Sequence, residues 1–193
     1  MTKRRRPTFS SWQRQLLTEL RELSKKQPRE IRIAGQPKLE AGGAAVVTVT
    51  LSTIGLQRGP EGLQLRNSEE FVIRVGHSPL TPPDVDVMHL RFLGFPHVLQ
   101  GRRLCLFLDP SREWHPSLGM AGTLNRLWGW LTDAAGGRFD PRTSMYHAVG
   151  GVLHQSAGTP TIVVRQKDAF ECHRMARLIE RSPHRLDLSY STG

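Results

Sequence analysis

Cys105 closes the stretch Phe95-Pro96-His97-Val98-Leu99-Gln100-Gly101-Arg102-Arg103-Leu104-Cys105-Leu106, and the residue types around it suit acyl transfer. A thiol carries an acyl group as a labile thioester, with the thiolate as nucleophile. An ordinary cysteine has a pKa near about 8.5, so only a few per cent is ionised at neutral pH. Arg102 and Arg103 stand close in sequence and favour the anion. When an amine attacks such a thioester, the tetrahedral oxyanion needs a donor. His97 is placed in sequence to supply it, and His115 is a second candidate. The attacking amine must also be desolvated or lose a proton, and Asp109 is the nearest carboxylate after the cysteine.

Taken one at a time, these residues have plainer readings. A buried Cys is a common inert core residue. His97 and His115 singly read as loop histidines, and Trp114 and Trp128 as core aromatics. Cys172 shares a helical face with Met175 and Ile179 and reads as core packing. A papain-like Cys–His enzyme fits the residue types, but no such signature surrounds Cys105. The histidines and cysteines lack zinc spacing, and neither a Walker loop nor G-x-G-x-x-G is present, so no metal and no cofactor are expected.

These residues must be held by a domain. The 193 residues, 38% hydrophobic and 23% charged, describe one globular domain able to bury a core without disulfides. No apolar run approaches the roughly 20 residues that span a bilayer, and no hydrophobic signal core follows the basic start Met1–Pro7, so a cytoplasmic location is expected. The net charge of +10 gathers at Lys3–Arg6, at Lys25, Lys26 and Arg29, and at Arg165–Arg185. Such charge suits a solvated face, an acidic protein partner or nucleic acid. No zinc-finger, RRM or basic-zipper pattern supports the last, and nucleic-acid binding is the least favoured reading.

Ser10, with Gln13 as capping-box partner, opens a helix whose face is Trp12, Leu16, Leu17, Leu20 and Leu23, ending near Lys26 to Pro28. Val47, Val49 and Leu51 alternate with polar residues as a strand, as do Phe71, Ile73 and Val75. Val85 to Phe92 is a further strand candidate with a bulge near Val87, and Ile31 to Ile33 a short earlier one. Leu93 to Pro116 is irregular, as functional segments often are. Leu124, Leu127, Trp128 and Leu131 mark a second helix ended by Gly136-Gly137. Ile162–Val164 reads as a strand, Asp168-x-x-Glu171 as a capping box opening a helix through Cys172, Met175, Leu178 and Ile179, and Leu186, Leu188 and Tyr190 as a final strand.

A proline segment, Pro79-Leu80-Thr81-Pro82-Pro83, lies sixteen residues before Phe95, and Trp114-His115-Pro116 begins nine residues after Cys105. In this order, from about Ser10 to Asp140, the chain resembles ubiquitin-conjugating (UBC-fold) enzymes. Pro79, Pro82 and Pro83 match the family's proline segment, Cys105-Leu106 its catalytic step, and Trp114 and Pro116 its Trp-x-Pro turn. The His-Pro-Asn loop departs: it reads Phe95-Pro96-His97, with His97 where the family places its oxyanion Asn. The second helix followed by Gly136-Gly137-Arg138-Phe139-Asp140 is similar to bacterial members encoded beside ubiquitin-like proteins, adenylating activating enzymes and JAB-type peptidases in antiphage operons.

The resemblance implies an α+β UBC-like fold: an N-terminal helix, a four-stranded antiparallel meander, an active-site Cys loop and a second helix, plus a C-terminal β-α-β appendage. The expected organisation is a basic flexible N-terminus (1–9), a conjugating domain (10–158) and an extension packed on it (159–193). Cys105 would accept a ubiquitin-like C-terminus from an activating enzyme and pass it to an amine on a protein target. His97, His115 and Asp109 would assist. Arg14, Arg21 and Lys25 on the first helix would face the activating enzyme. The alternative within the same fold is a non-catalytic module that binds a ubiquitin-like partner. No membrane partner is expected.

Overall fold

The computed structural model describes residues 8–99, 102–139, 161–163, 176–182 and 185–190. Among them run α1 (Ser11–Lys26), β1 (Ile31–Leu39), β2 (Ala45–Ser52), β3 (Ser68–Val75), β4 (Asp84–Val87), the single turn α2 (Pro110–Glu113), a 3-10 turn (Pro116–Leu118), α3 (Gly119–Gly136), β5 (Thr161–Val163), β6 (Ala176–Ser182) and β7 (Arg185–Tyr190). The chain is a mixed α/β protein with an N-terminal helix and a four-stranded sheet in the order β1-β2-β3-β4. It divides into two compact units: Met1–Leu56 with Leu65–Asp86 and Leu106–Leu131, and Gln57–Gln64 with Val87–Cys105 and Thr132–Gly193.

In the first unit the capping box forms as the sequence predicts. Ser10 Oγ accepts from the Gln13 N–H, and the Gln13 side chain accepts from the Ser10 N–H. Gln13 does more than cap. It is fully buried, and its amide donates to the carbonyls of Gly43 (2.9 Å) and Val75 (3.0 Å), tying α1 to the β1–β2 turn and the end of β3. A buried amide demands such partners. Strand β2 alternates strictly, with Ala45, Val47, Val49 and Leu51 buried, and pairs antiparallel with β3 from Ala45↔Val75 to Ser52↔Ser68. β1 is longer than Ile31–Ile33, and its register against β2 shifts between Ala34 and Lys38. The core of this unit collects Leu16, Leu20, Val49, Phe71, Ile73 and Leu127. Glu19 of α1 accepts the Met120 N–H at 2.8 Å, so one helix caps the other's N-terminus with a carboxylate.

Three expectations need correction. The fourth strand ends at Val87, and the chain then turns so that Phe92 and Leu93 are buried from non-strand backbone. Trp128 is 39% exposed, while Trp130 takes the buried place on α3. Leu178 and Ile179 lie on β6 rather than on a helix, and both are exposed. Ala176 through Glu180 pair residue by residue with Tyr190 through Leu186, and a short apolar run does not separate helix from strand until it finds such a partner. β5 and β7 form where the sequence places strands, in a second sheet of order β5-β7-β6. Cys172 and the capping box at Asp168 lie outside the described residues, as do Met1–Pro7. No helix among the described residues is long and apolar enough to cross a membrane.

Candidate active site

In the second unit, the segment carrying Cys105 folds back on itself as a small antiparallel ladder. The Cys105 N–H donates to the His97 carbonyl at 2.7 Å, and the Leu99 N–H to the Arg103 carbonyl at 2.7 Å, with Val98 bridging Leu104 between them. The three pairs keep one register, so His97 sits directly across from Cys105. Val98 and Leu104 form the close, non-hydrogen-bonded pair, and both are 4% exposed. They anchor the ladder in the core, while His97 and Cys105 stay half-buried. The two pairs are thus separated by burial, as strand alternation requires.

Two residues of this ladder adopt left-handed backbone: His97 (φ 58°) and Arg102 (φ 75°). Each costs on the order of 1 kcal/mol in a non-glycine residue. Arg102 is held there by a 2.8 Å bond from its guanidinium to the Met88 carbonyl. The His97 ring packs on Phe139, with centroids 4.9 Å apart, and Phe95 meets the same ring edge-on at 6.1 Å.

The first unit holds the other sequence-predicted residues. Trp114 is buried and donates its indole N–H to the Pro79 carbonyl at 2.8 Å, so the Trp-x-Pro turn and the proline segment come together. Pro79 itself is exposed, Pro82 half-buried and Pro83 buried. Phe107 and Trp12 both meet Trp114 edge-on, at 5.6 and 6.5 Å. Arg126 lies over the Phe107 ring and pairs with Glu113 at 3.2 Å.

Asp109 caps α2: its carboxylate accepts from the Ser111 N–H (3.1 Å) and hydroxyl (2.5 Å), and faces Arg112 at 3.4 Å. His115 caps the following 3-10 turn, its Nδ1 accepting from the Ser117 N–H at 3.2 Å. Pro110 and Pro116 each start their turn, where a missing N–H costs nothing. On α1, Arg14, Arg21 and Lys25 are exposed. Arg14 bonds the Phe9 carbonyl. Lys25 bonds Glu22 at 2.8 Å, and this hydrogen bond with its charge holds the Glu22 carboxyl below the usual range.

Sequence reasoning assigned no role to Phe139. The signal available was its place two residues beyond the helix-ending glycines, where a chain leaving a helix is aimed by the cap.

An N-terminal helix before a four-stranded antiparallel meander is consistent with an E2-like fold, that of ubiquitin-conjugating enzymes. The chain belongs to prokaryotic E2 family A, whose family model matches residues 27–149. It is a bacterial UBC-like protein, and membership points to ubiquitin-conjugating-like function, with a ubiquitin-like protein and an activating enzyme as partners in general terms. No curated protein matches the chain.

Proposed function

We propose that this chain is a conjugating acyltransferase that works through a Cys105 thioester in bacterial antiphage defence. The Cys105 thiolate attacks the carbonyl by which an activating enzyme holds the C-terminus of a ubiquitin-like protein. A carbon–sulfur bond to Cys105 forms, and the activating enzyme leaves as a thiolate. An amine of the target then attacks the new thioester. The carbon–nitrogen bond forms, the Cys105 thiolate departs, and the amine's proton passes to solvent. The His97 imidazole donates a hydrogen bond to the oxyanion of the tetrahedral intermediate.

The observation that carries this reading is the ladder pairing His97 with Cys105. In this reading it sets the nucleophile and its donor across the same rung of a backbone anchored by buried Val98 and Leu104. Asp109 and His115 are engaged as caps, so in this reading they shape the Trp114 segment while Cys105 and His97 carry the reaction. Pro79, Pro82, Pro83, Trp114 and Pro116 serve as scaffold. Arg14, Arg21 and Lys25 form the docking face for the activating enzyme. The defence role rests on the likeness to operon-encoded relatives.

The histidine at position 97 favours a second reading, a non-catalytic module that holds a ubiquitin-like partner. A charging assay with the neighbouring activating enzyme, its ubiquitin-like protein and ATP separates the two. A band that thiol reductant removes, and that Cys105→Ala lacks, supports the thioester carrier. Its absence, with an active activating enzyme and a folded chain, supports the binding module.

A further inference from the structure

The ladder fixes the His97 backbone through the Cys105 N–H, but it does not aim the imidazole. Phe139 lies beside that ring. Its ring lies 4.9 Å from the His97 ring, at 51° between planes, and is braced edge-on by Phe95. We propose that Phe139 is a positioning residue, which sets the His97 imidazole for its oxyanion role and couples that role to the end of α3. The inference rests on the conjugating reading above.

The end of α3 is built to deliver this ring. Gly137 takes left-handed backbone (φ 65°) as a helix-ending residue, its N–H bonding the Ala134 carbonyl at 3.3 Å. Arg138 then clasps the helix it has just left: its N–H reaches the Asp133 carbonyl (2.9 Å), its Nε the Asp133 carboxylate (3.0 Å) and its terminal nitrogen the Thr132 carbonyl (2.9 Å). The last carbonyls of α3 are tied as well, Ala134 to the Leu63 N–H (2.7 Å) and Ala135 to the Gly59 N–H (2.8 Å). That approach is close enough that a Cβ on Gly62 would strike the Ala135 carbonyl. Phe139 therefore leaves a fastened helix end, and its ring is a wall rather than a loose contact. A group that must meet a developing charge needs its orientation held within about 10–20°. For an imidazole on strained backbone, an aromatic wall does this without adding a second charge.

In this proposal Phe139 acts through His97. Its test needs a readout that a purely structural role would not move. In the full chain, the ring-proton NMR signals of His97 should be displaced by the Phe139 ring current. Phe139→Leu should bring them back toward the values of a free imidazole, and Phe139→Tyr should keep the displacement.

For kinetics, Cys105 is acylated from an acetyl-Gly-Gly mercaptoethanesulfonate thioester, discharged to free lysine and followed by intact mass. Phe139→Leu should slow discharge about tenfold, a misplacement-sized loss, while loading stays within about twofold. Phe139→Tyr should restore it. Arg138→Ala, which loosens the clasp and leaves the ring in place chemically, should show the same selective slowing to a smaller extent, and covers the case of a poorly folded Phe139→Leu.

Unmoved His97 signals in a folded Phe139→Leu overturn the proposal. So does an equal loss in loading and discharge, or a Phe139→Tyr variant as slow as Phe139→Leu. A wild-type chain that takes no acyl group overturns the conjugating reading and the catalytic role with it. The His97 signals distinguish that failure from failure of the contact itself.

Discussion

The Trp114 segment and the Cys105 segment are both short of regular structure, yet they are held in opposite ways. Around Trp114 the side chains do the holding. An indole N–H reaches a proline carbonyl, two further aromatic rings meet Trp114 edge-on, an arginine bridges Phe107 and Glu113, and Asp109 and His115 spend their polar atoms on caps. Around Cys105 the backbone does the holding: three paired rungs, two left-handed residues and a buried Val98–Leu104 pair. Side chains consumed in capping are poorly placed for chemistry. On the proposed conjugating reading, the segment braced by its backbone is the one whose thiol and imidazole take part in the reaction. On that reading the contrast would set a scaffold apart from a reactive segment within one stretch of irregular sequence.

The sharpest way to break this contrast is Cys105→Ala. Transfer should be lost entirely while the thermal unfolding midpoint barely moves, since the ladder bond uses the backbone N–H and not the thiol. Normal transfer by this variant would end the assignment.

Trp114→Ala should do the reverse, costing about 3–5 kcal/mol of stability through lost packing, as read by denaturant unfolding. A cost under about 1 kcal/mol would mean that Trp114 does not hold its segment.

His97→Ala should slow discharge to amine by about a hundredfold, the size of a lost oxyanion donor, with a smaller effect on charging. Equal effects on both steps would make His97 structural. Because of the left-handed backbone at 97, His97→Gly should be more stable than His97→Ala by about 1 kcal/mol.

The smallest effect belongs to Asp109. Asp109→Asn keeps a capping oxygen and should leave both stability and discharge near wild type. Asp109→Ala should lose about 1 kcal/mol of stability without a selective effect on discharge. Slowed discharge in a stable Asp109→Asn would restore the carboxylate to the chemistry and blur the line between the two segments.

The local elements were legible because local physics decides them. The Ser10–Gln13 box, the alternation of Val47 to Leu51, and the buried Leu124, Leu127 and Leu131 of α3 were readable from neighbours within one or two turns. Of the candidate site, the residue types and their order were legible too. The errors fell where a non-local partner decides. β6 exists because β7 pairs with it, and Trp128 is exposed where a core aromatic was expected because the buried stripe of α3 is set by what packs on it.

By itself, the sequence determined which residues can do chemistry, which locally encoded elements form, and the family to which the chain belongs. Only the tertiary structure decided which groups meet. It placed His97 directly across from Cys105, turned Asp109 and His115 into caps, sent Gln13 into the core, and brought Phe139 from forty-two residues away onto the His97 ring. Spacing and periodicity report short-range geometry, whereas a hydrogen-bond partner or a stacked ring is chosen by the folded chain as a whole.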